Sequence, residues 1–190
     1  MSSPTALSPA LEELLAGNRR FTSGRTTSHR RDLVMLQKTL EKQEPFAAIL
    51  SCADSRVPVE VVFDQTIGQL FVTRVAGNMV TPEIVASLEY AAAVLGTHTI
   101  LIMGHSGCGA VTAVMQGTPV PGQIAKLFPH LQPAVDRAGK DLEAAIRANV
   151  LIQVERLLEM SPLLRGLVEQ DSLQIAAGCF DMRTGVVTFL

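Results

Sequence analysis

Tryptophan is missing from this 190-residue chain, tyrosine occurs once, and cysteine occurs three times, at Cys52, Cys108 and Cys179. An odd cysteine count with no Cys-x-x-Cys pair excludes a disulfide framework and a thioredoxin-like dithiol, and predicts a reducing compartment. Surplus charge is equally scarce. The formal net charge is -2, with no basic stripe or polybasic tail, which argues against nucleic acid as a partner. No apolar run is long enough for a membrane. The most apolar stretch, residues 84–103, is interrupted by Glu89, Gly96 and His98 and falls short of the uninterrupted ~20 residues a span needs. The opening Met1-Ser2-Ser3-Pro4 lacks the basic region and apolar core of a signal peptide, so a cytoplasmic location is expected.

Apolar residues, by contrast, are plentiful. They make up 47% of the chain, and the mean hydropathy is +0.28. For a single domain over residues 1–190 this excess predicts a large buried interface, and hence a homo-oligomer, either a dimer or a dimer of dimers. The leucine stripe Leu11, Leu14 and Leu15 suggests an N-terminal helix that embraces the neighbour. No internal repeat or low-complexity segment is visible.

The pattern predicts an α/β fold: a mostly parallel central sheet flanked by helices, an N-terminal helical arm over about 8–43, and a C-terminal helical subregion ending in short strands. Ser8 can cap a first helix over 8–21, with Pro9 in its first turn. Leu33, Leu36 and Leu40 mark a second over about 32–42. Continuous apolar runs at 46–51, 70–75 and 97–103 read as buried strands. A helix opens at Thr81-Pro82-Glu83 and closes at Gly96. Another starts just after Cys108. Pro129 and Pro133 are expected to break the stretch that follows, before a long helix over 140–159 and a short one to about 169. Residues 173–177 and 186–190 read as a closing β pair around Arg183-Thr184-Gly185. Strand alternating with helix implies crossover connections.

Two segments at predicted strand ends carry chemistry: Cys52-Ala53-Asp54-Ser55-Arg56-Val57 and Gly104-His105-Ser106-Gly107-Cys108-Gly109. Ligands of open parallel sheets bind beyond the carboxyl ends of strands, so both segments face one crevice. Cys52, His105 and Cys108 form a two-thiolate, one-imidazole set, which suits zinc and leaves a fourth position open. Asp54 and Arg56 alternate on an extended segment, so the guanidinium can keep the carboxylate ionised and oriented. Taken singly, each of these residues has an ordinary structural reading: a buried cysteine, a turn-capping histidine, an ion pair. Their joint occurrence at two strand ends points to a metal site. His29, His98 and His130 have no such company and read as surface or core histidines. Cys179 reads as packing, and the Arg19-Arg20 and Arg30-Arg31 pairs as solvated charge.

At these residues the sequence resembles the β-carbonic anhydrases, which carry a Cys-x-Asp-x-Arg segment and, about fifty residues later, His-x-x-Cys. The FDQ run from Phe63, RVAGN from Arg74 and SLEYA from Ser87 look like the family too. The resemblance implies one zinc ion per chain on Cys52, His105 and Cys108. It implies reversible hydration of CO2 to bicarbonate and a proton, with zinc-bound hydroxide as nucleophile, oriented by an Asp54–Arg56 dyad. In an inactive state known in the family, Asp54 itself swings onto zinc. Gln43 matches a glutamine that contacts substrate oxygen from across a dimer interface. Phe71 and Tyr90 match aromatics lining the CO2 pocket, and the Gly109 N–H is a further substrate donor. Some members bind regulatory bicarbonate around a tryptophan three residues before the first cysteine ligand. Ile49 stands there and the chain has no tryptophan, which argues against that form of regulation. Hydrolysis of carbonyl sulfide or carbon disulfide on the same zinc is a rival reading, and so is a zinc scaffold without catalysis, although the intact Asp54–Arg56 pair argues against the scaffold.

Overall fold

A computed structural model describes residues 7–27 and 32–190; Met1 to Pro4, His29, Arg30 and Arg31 lie outside the described residues. The apolar runs form strands β1 (Ala47–Ser51), β2 (Leu70–Arg74) and β3 (Thr99–His105), joined by β4 (Gln174–Asp181) and β5 (Val186–Phe189). They make one sheet in the order β2-β1-β3-β4-β5, parallel except for β5, which runs antiparallel to β4. Every residue of β1 and β3 is buried, as expected for central strands covered on both faces.

The two faces follow the strand alternation. Ala47, Ile49, Leu101 and Met103 pack under α1 (Pro9–Thr22) and α3 (Val59–Val62). Ala48, Leu50, Ile100 and Ile102 pack under α4 (Pro82–Glu89), α7 (Leu142–Met160) and α8 (Pro162–Glu169). Between these blocks lie α2 (Leu33–Gln37), α5 (Gly109–Gln116) and α6 (Phe128–Ala138). No helix among the described residues is long and apolar enough to cross a membrane.

Several elements differ from expectation for identifiable reasons. The second helix stops at Gln37, and Leu33, Leu36 and Leu40 are all exposed. A one-turn helix needs tertiary packing to persist further, and this one buries none of its residues among the described residues. Two of the three stripe leucines of the first helix are used within the chain, while Leu15 is half-buried. Leu11 and Leu14 are fully buried in their own chain, where Asn18 donates to the carbonyls of Val62 and Gly185 at 3.1 and 2.9 Å and accepts from the Val187 N–H at 2.8 Å. The prolines do not break α6. Pro129 sits in its first turn, where no amide donor is needed, and Pro133 forfeits one hydrogen bond inside it. The helix from Pro82 ends in a π-helical turn over Tyr90–Val94.

Candidate metal centre

The connection from β1 runs to β2 on one side and the connection from β3 runs to β4 on the other, so the crevice between β1 and β3 is the topological switch point of the sheet. Both motif segments start there. Cys52 follows the last residue of β1, His105 is the last residue of β3, and Cys108 is the residue before the first turn of α5. Gly107 makes the intervening turn with φ of +63°, a conformation glycine adopts without strain.

The ligating atoms of Cys52, His105 and Cys108 lie within 4.8 Å of one another, and all three side chains are buried. His105 Nδ1 lies 3.0 Å from the Ser106 carbonyl, which makes Nδ1 the protonated nitrogen and leaves the Nε2 lone pair facing the sulfurs. Nε2 is buried and has no hydrogen-bond partner among the described residues. The hydrogen bond between Cys108 and Cys52 pulls the Cys52 thiol far below the ordinary thiol range, aided by the His105 ring and the Gly77 N–H. The same pairing with Cys52, together with burial, pushes Cys108 up. Two sulfurs thus contend for one negative charge beside an orphaned imidazole nitrogen. A soft divalent cation satisfies all three donors at once, and zinc is the metal this donor set favours.

Asp54 lies at the rim. Its oxygens accept from Arg56 Nε at 3.0 Å and Arg56 Nη2 at 2.8 Å, and Oδ1 also accepts from the Arg56 backbone N–H at 3.0 Å. This guanidinium holds the Asp54 carboxyl well below the usual carboxylate range, against a smaller opposing effect of burial. Oδ2 lies 3.9 Å from His105 Nε2. Arg74 fixes the backbone underneath, donating to the carbonyls of Cys52 at 3.0 Å and Asp54 at 2.6 Å. The Gly109 N–H belongs to the first turn of α5, where amides lack intrahelical partners.

The family profile described as carbonic anhydrase matches residues 47–187, the whole span from β1 into β5. The chain belongs to the carbonic anhydrase family. Curated relatives include carbonic anhydrase 2 of Mycobacterium tuberculosis, 38% identical over 70% of this chain and 65% of its own length. The carbonic anhydrase of Pseudomonas aeruginosa is 34% identical over 78% of this chain and 74% of its own. The match therefore spans just under two thirds of the mycobacterial relative. Among solved structures, the β-carbonic anhydrase CcaA superposes with a TM-score of 0.73 at 25% identity, over 94% of both chains. The Coccomyxa β-carbonic anhydrase in complex with acetazolamide superposes at 0.74 and 25%, over 98% of this chain and 87% of that one. The family here is thus the β-carbonic anhydrases.

In this β-carbonic anhydrase chain, the remaining sequence-predicted residues do not all gather at the crevice. Phe71 pairs with Ala48 across the sheet, and its ring centroid lies 6.3 Å from that of Tyr90. Gln43 and Tyr90 line one surface recess of about 480 Å³. Ala48 precedes Cys52 by four residues of near-extended chain, so this aromatic group lies roughly 13 Å back along the strand direction from the metal ligands. Within one chain, Gln43, Phe71 and Tyr90 form a second cluster. Ile49 is fully buried in the core face of β1. Cys179 is half-buried on β4, and burial pushes its thiol up to about 11. Two parts of the site went unread in the sequence: Arg74, and the buried amides Asn149 and Gln153. Their signal was available, since two amides four residues apart interrupt the apolar face of α7.

Proposed function

We propose that this chain reversibly hydrates CO2 to bicarbonate and a proton, with one zinc ion per chain held by Cys52, His105 and Cys108. The carrying observation is the buried Cys52–His105–Cys108 set, whose His105 Nε2 has no partner, beside an ionised Asp54 clamped by Arg56. When bound, the metal acts as a Lewis acid that makes water a nucleophile near neutral pH, an effect established for carbonic anhydrases with three histidine ligands. Two thiolates leave the centre less positive than three imidazoles, so the activity leans alkaline.

The protein groups do the orienting. Asp54 Oδ2, the carboxylate oxygen near His105 Nε2, accepts the proton of the attacking oxygen in a hydrogen bond and so aims its lone pair at the carbon of CO2. Arg56 occupies both carboxylate oxygens and keeps Asp54 off the metal, while the Gly109 N–H donates to a substrate oxygen. The second cluster serves the partner subunit. Its Gln43 amide donates to substrate oxygen there, and Phe71 and Tyr90 wall the CO2 pocket without competing for the nucleophile. Support for this comes from the separation of the two clusters within a chain, and from the exposed Leu40 and Val94, which line the same recess as Gln43 and Tyr90. We read the functional unit as a dimer or dimer of dimers, with residues 1–190 as one domain. The free cysteines fit a reducing compartment, and we place the protein in the cytoplasm.

Metal removal is the test. Protein purified without chelator should carry one zinc per chain in a two-sulfur, one-nitrogen protein environment by X-ray absorption. Dialysis against chelator should abolish CO2 hydration, and added zinc should restore it. Hydration that persists in metal-free protein would contradict the proposal.

A further inference from the structure

The buried face of α7 carries two amides where apolar residues surround them. Asn149 is 1% exposed and Gln153 is fully buried, one helical turn apart, between Ala145, Ile146 and Val150 on one side and Leu157 on the other. Buried amides are costly unless hydrogen-bonded, so their partners say what they are for. Asn149 Nδ2 donates to the Gly77 carbonyl at 2.9 Å. Gln153 Nε2 donates to Asn149 Oδ1 at 3.0 Å and to the His130 carbonyl at 3.3 Å, and Gln153 Oε1 accepts from the Val80 N–H at 2.7 Å. The pair therefore ties down both ends of the segment between β2 and α4. That segment also reaches a proposed metal ligand: the Gly77 N–H donates to Cys52 Sγ at 3.3 Å.

The segment needs this support because its backbone is unusual. Gly77 has φ of +76° and Asn78 φ of +42°. A Cβ at Gly77 would come within 2.9 Å of Leu131 Cδ1, so the turn is wedged against α6. A backbone turn of this kind keeps its orientation only where the surroundings over-determine it.

We propose that Asn149 and Gln153 are positioning residues for the metal centre. They hold the Gly77 peptide so that its N–H points at Cys52 Sγ, and thereby limit how much charge that sulfur gives to the metal. A thiolate that accepts a hydrogen bond is a weaker donor than a free one. Loss of the bond makes the sulfur more electron-rich and leaves the ligand less firmly placed. Outer partners of this kind typically influence metal affinity about 10- to 100-fold. This inference rests on the reading of Cys52, His105 and Cys108 as metal ligands.

The test uses cobalt(II) in place of zinc, because the thiolate-to-cobalt charge-transfer band reports the electron richness of the sulfur independently of activity. In Asn149→Leu the band should move to longer wavelength. Gln153→Met, which removes the brace on Asn149, should move the band the same way; it carries the test if Asn149→Leu fails to fold. Leu157→Ala, a core truncation on the same helix that removes none of the hydrogen bonds to the segment, should lose stability and leave the band in place. Cobalt-loaded Asn149→Leu or Gln153→Met with an unshifted band overturns the inference. So does an equal shift in Leu157→Ala, since the band would then follow general loosening. Wild-type protein that takes up no cobalt overturns the metal-ligand reading itself, and the inference with it.

Discussion

Arg56 touches both oxygens of Asp54 yet leaves more than half of its own side chain in solvent, so it restrains the carboxylate without burying it. Asp54 therefore has two possible partners and one of them is removable. In Arg56→Ala, X-ray absorption should detect an additional carboxylate oxygen on the metal, and CO2 hydration should fall about a hundredfold or more. An Arg56→Ala variant with wild-type turnover and no new oxygen ligand would remove Arg56 from the account. The Cys52–His105–Cys108 cluster was legible in the sequence because all the information lies in short motifs: a strand, then Cys52; a strand, then His105 and Cys108 one turn apart. Arg74, Asn149 and Gln153 were not legible in this way. Their partners include backbone groups distant in the sequence, and Asn149 meets Gly77 only because α7 packs against β3 and β4.

Helix α1 owes its place to a few tight contacts. A Cβ at Gly17 would lie 1.8 Å from the Phe63 carbonyl oxygen, so Gly17→Ala must push the helix away from α3. Overpacking of this kind costs about 1–3 kcal/mol, measurable by urea unfolding. On the neighbouring turn, Arg20 Nε donates to Asp64 Oδ2 at 2.6 Å, and the same oxygen accepts from the N–H and hydroxyl of Thr27 at 3.0 and 2.7 Å. Burial disfavours the charged Asp64, but the Arg20 and Thr27 hydrogen bonds outweigh it and hold the carboxyl below its ordinary value. A carboxyl lowered in the folded state contributes fully above its unfolded value of about 4 and loses that contribution as pH falls below it. Thermal unfolding should therefore show wild type losing its advantage over Asp64→Asn as pH drops below about 4; an advantage that persists there would contradict the sign. The strands and most helices were predicted within a few residues because their burial matches their apolar periodicity. The cis docking of α1 was not predicted. A leucine stripe states that a helix face is buried, and says nothing of which chain buries it.

On the scale of the whole molecule, the chain holds two separate clusters, Cys52, His105 and Cys108 at the carboxyl ends of β1 and β3, and Gln43, Phe71 and Tyr90, with Phe71 level with Ala48, four residues back along β1 from Cys52; we propose that they are two half-sites. A dimer that pairs one cluster with the other makes the site, and this predicts complementation. Protein with Gln43→Leu and protein with Asp54→Asn should each be impaired. Their mixed dimer has one site with both defects and one with neither, so mixing should recover activity. No recovery after verified subunit exchange, or a fully active monomer in sedimentation at micromolar concentration, would contradict a shared site.

The central claim is that a zinc held at the switch point of the sheet, with Asp54 beside it, hydrates CO2. Stopped-flow CO2 hydration tests it most directly when wild type and Asp54→Asn are compared at equal, measured zinc content. The account predicts rapid hydration by wild type in proportion to its zinc, and loss of most of that rate in Asp54→Asn with zinc retained. Zinc-replete wild type that does not accelerate hydration, or an Asp54→Asn variant with near wild-type turnover, would contradict it.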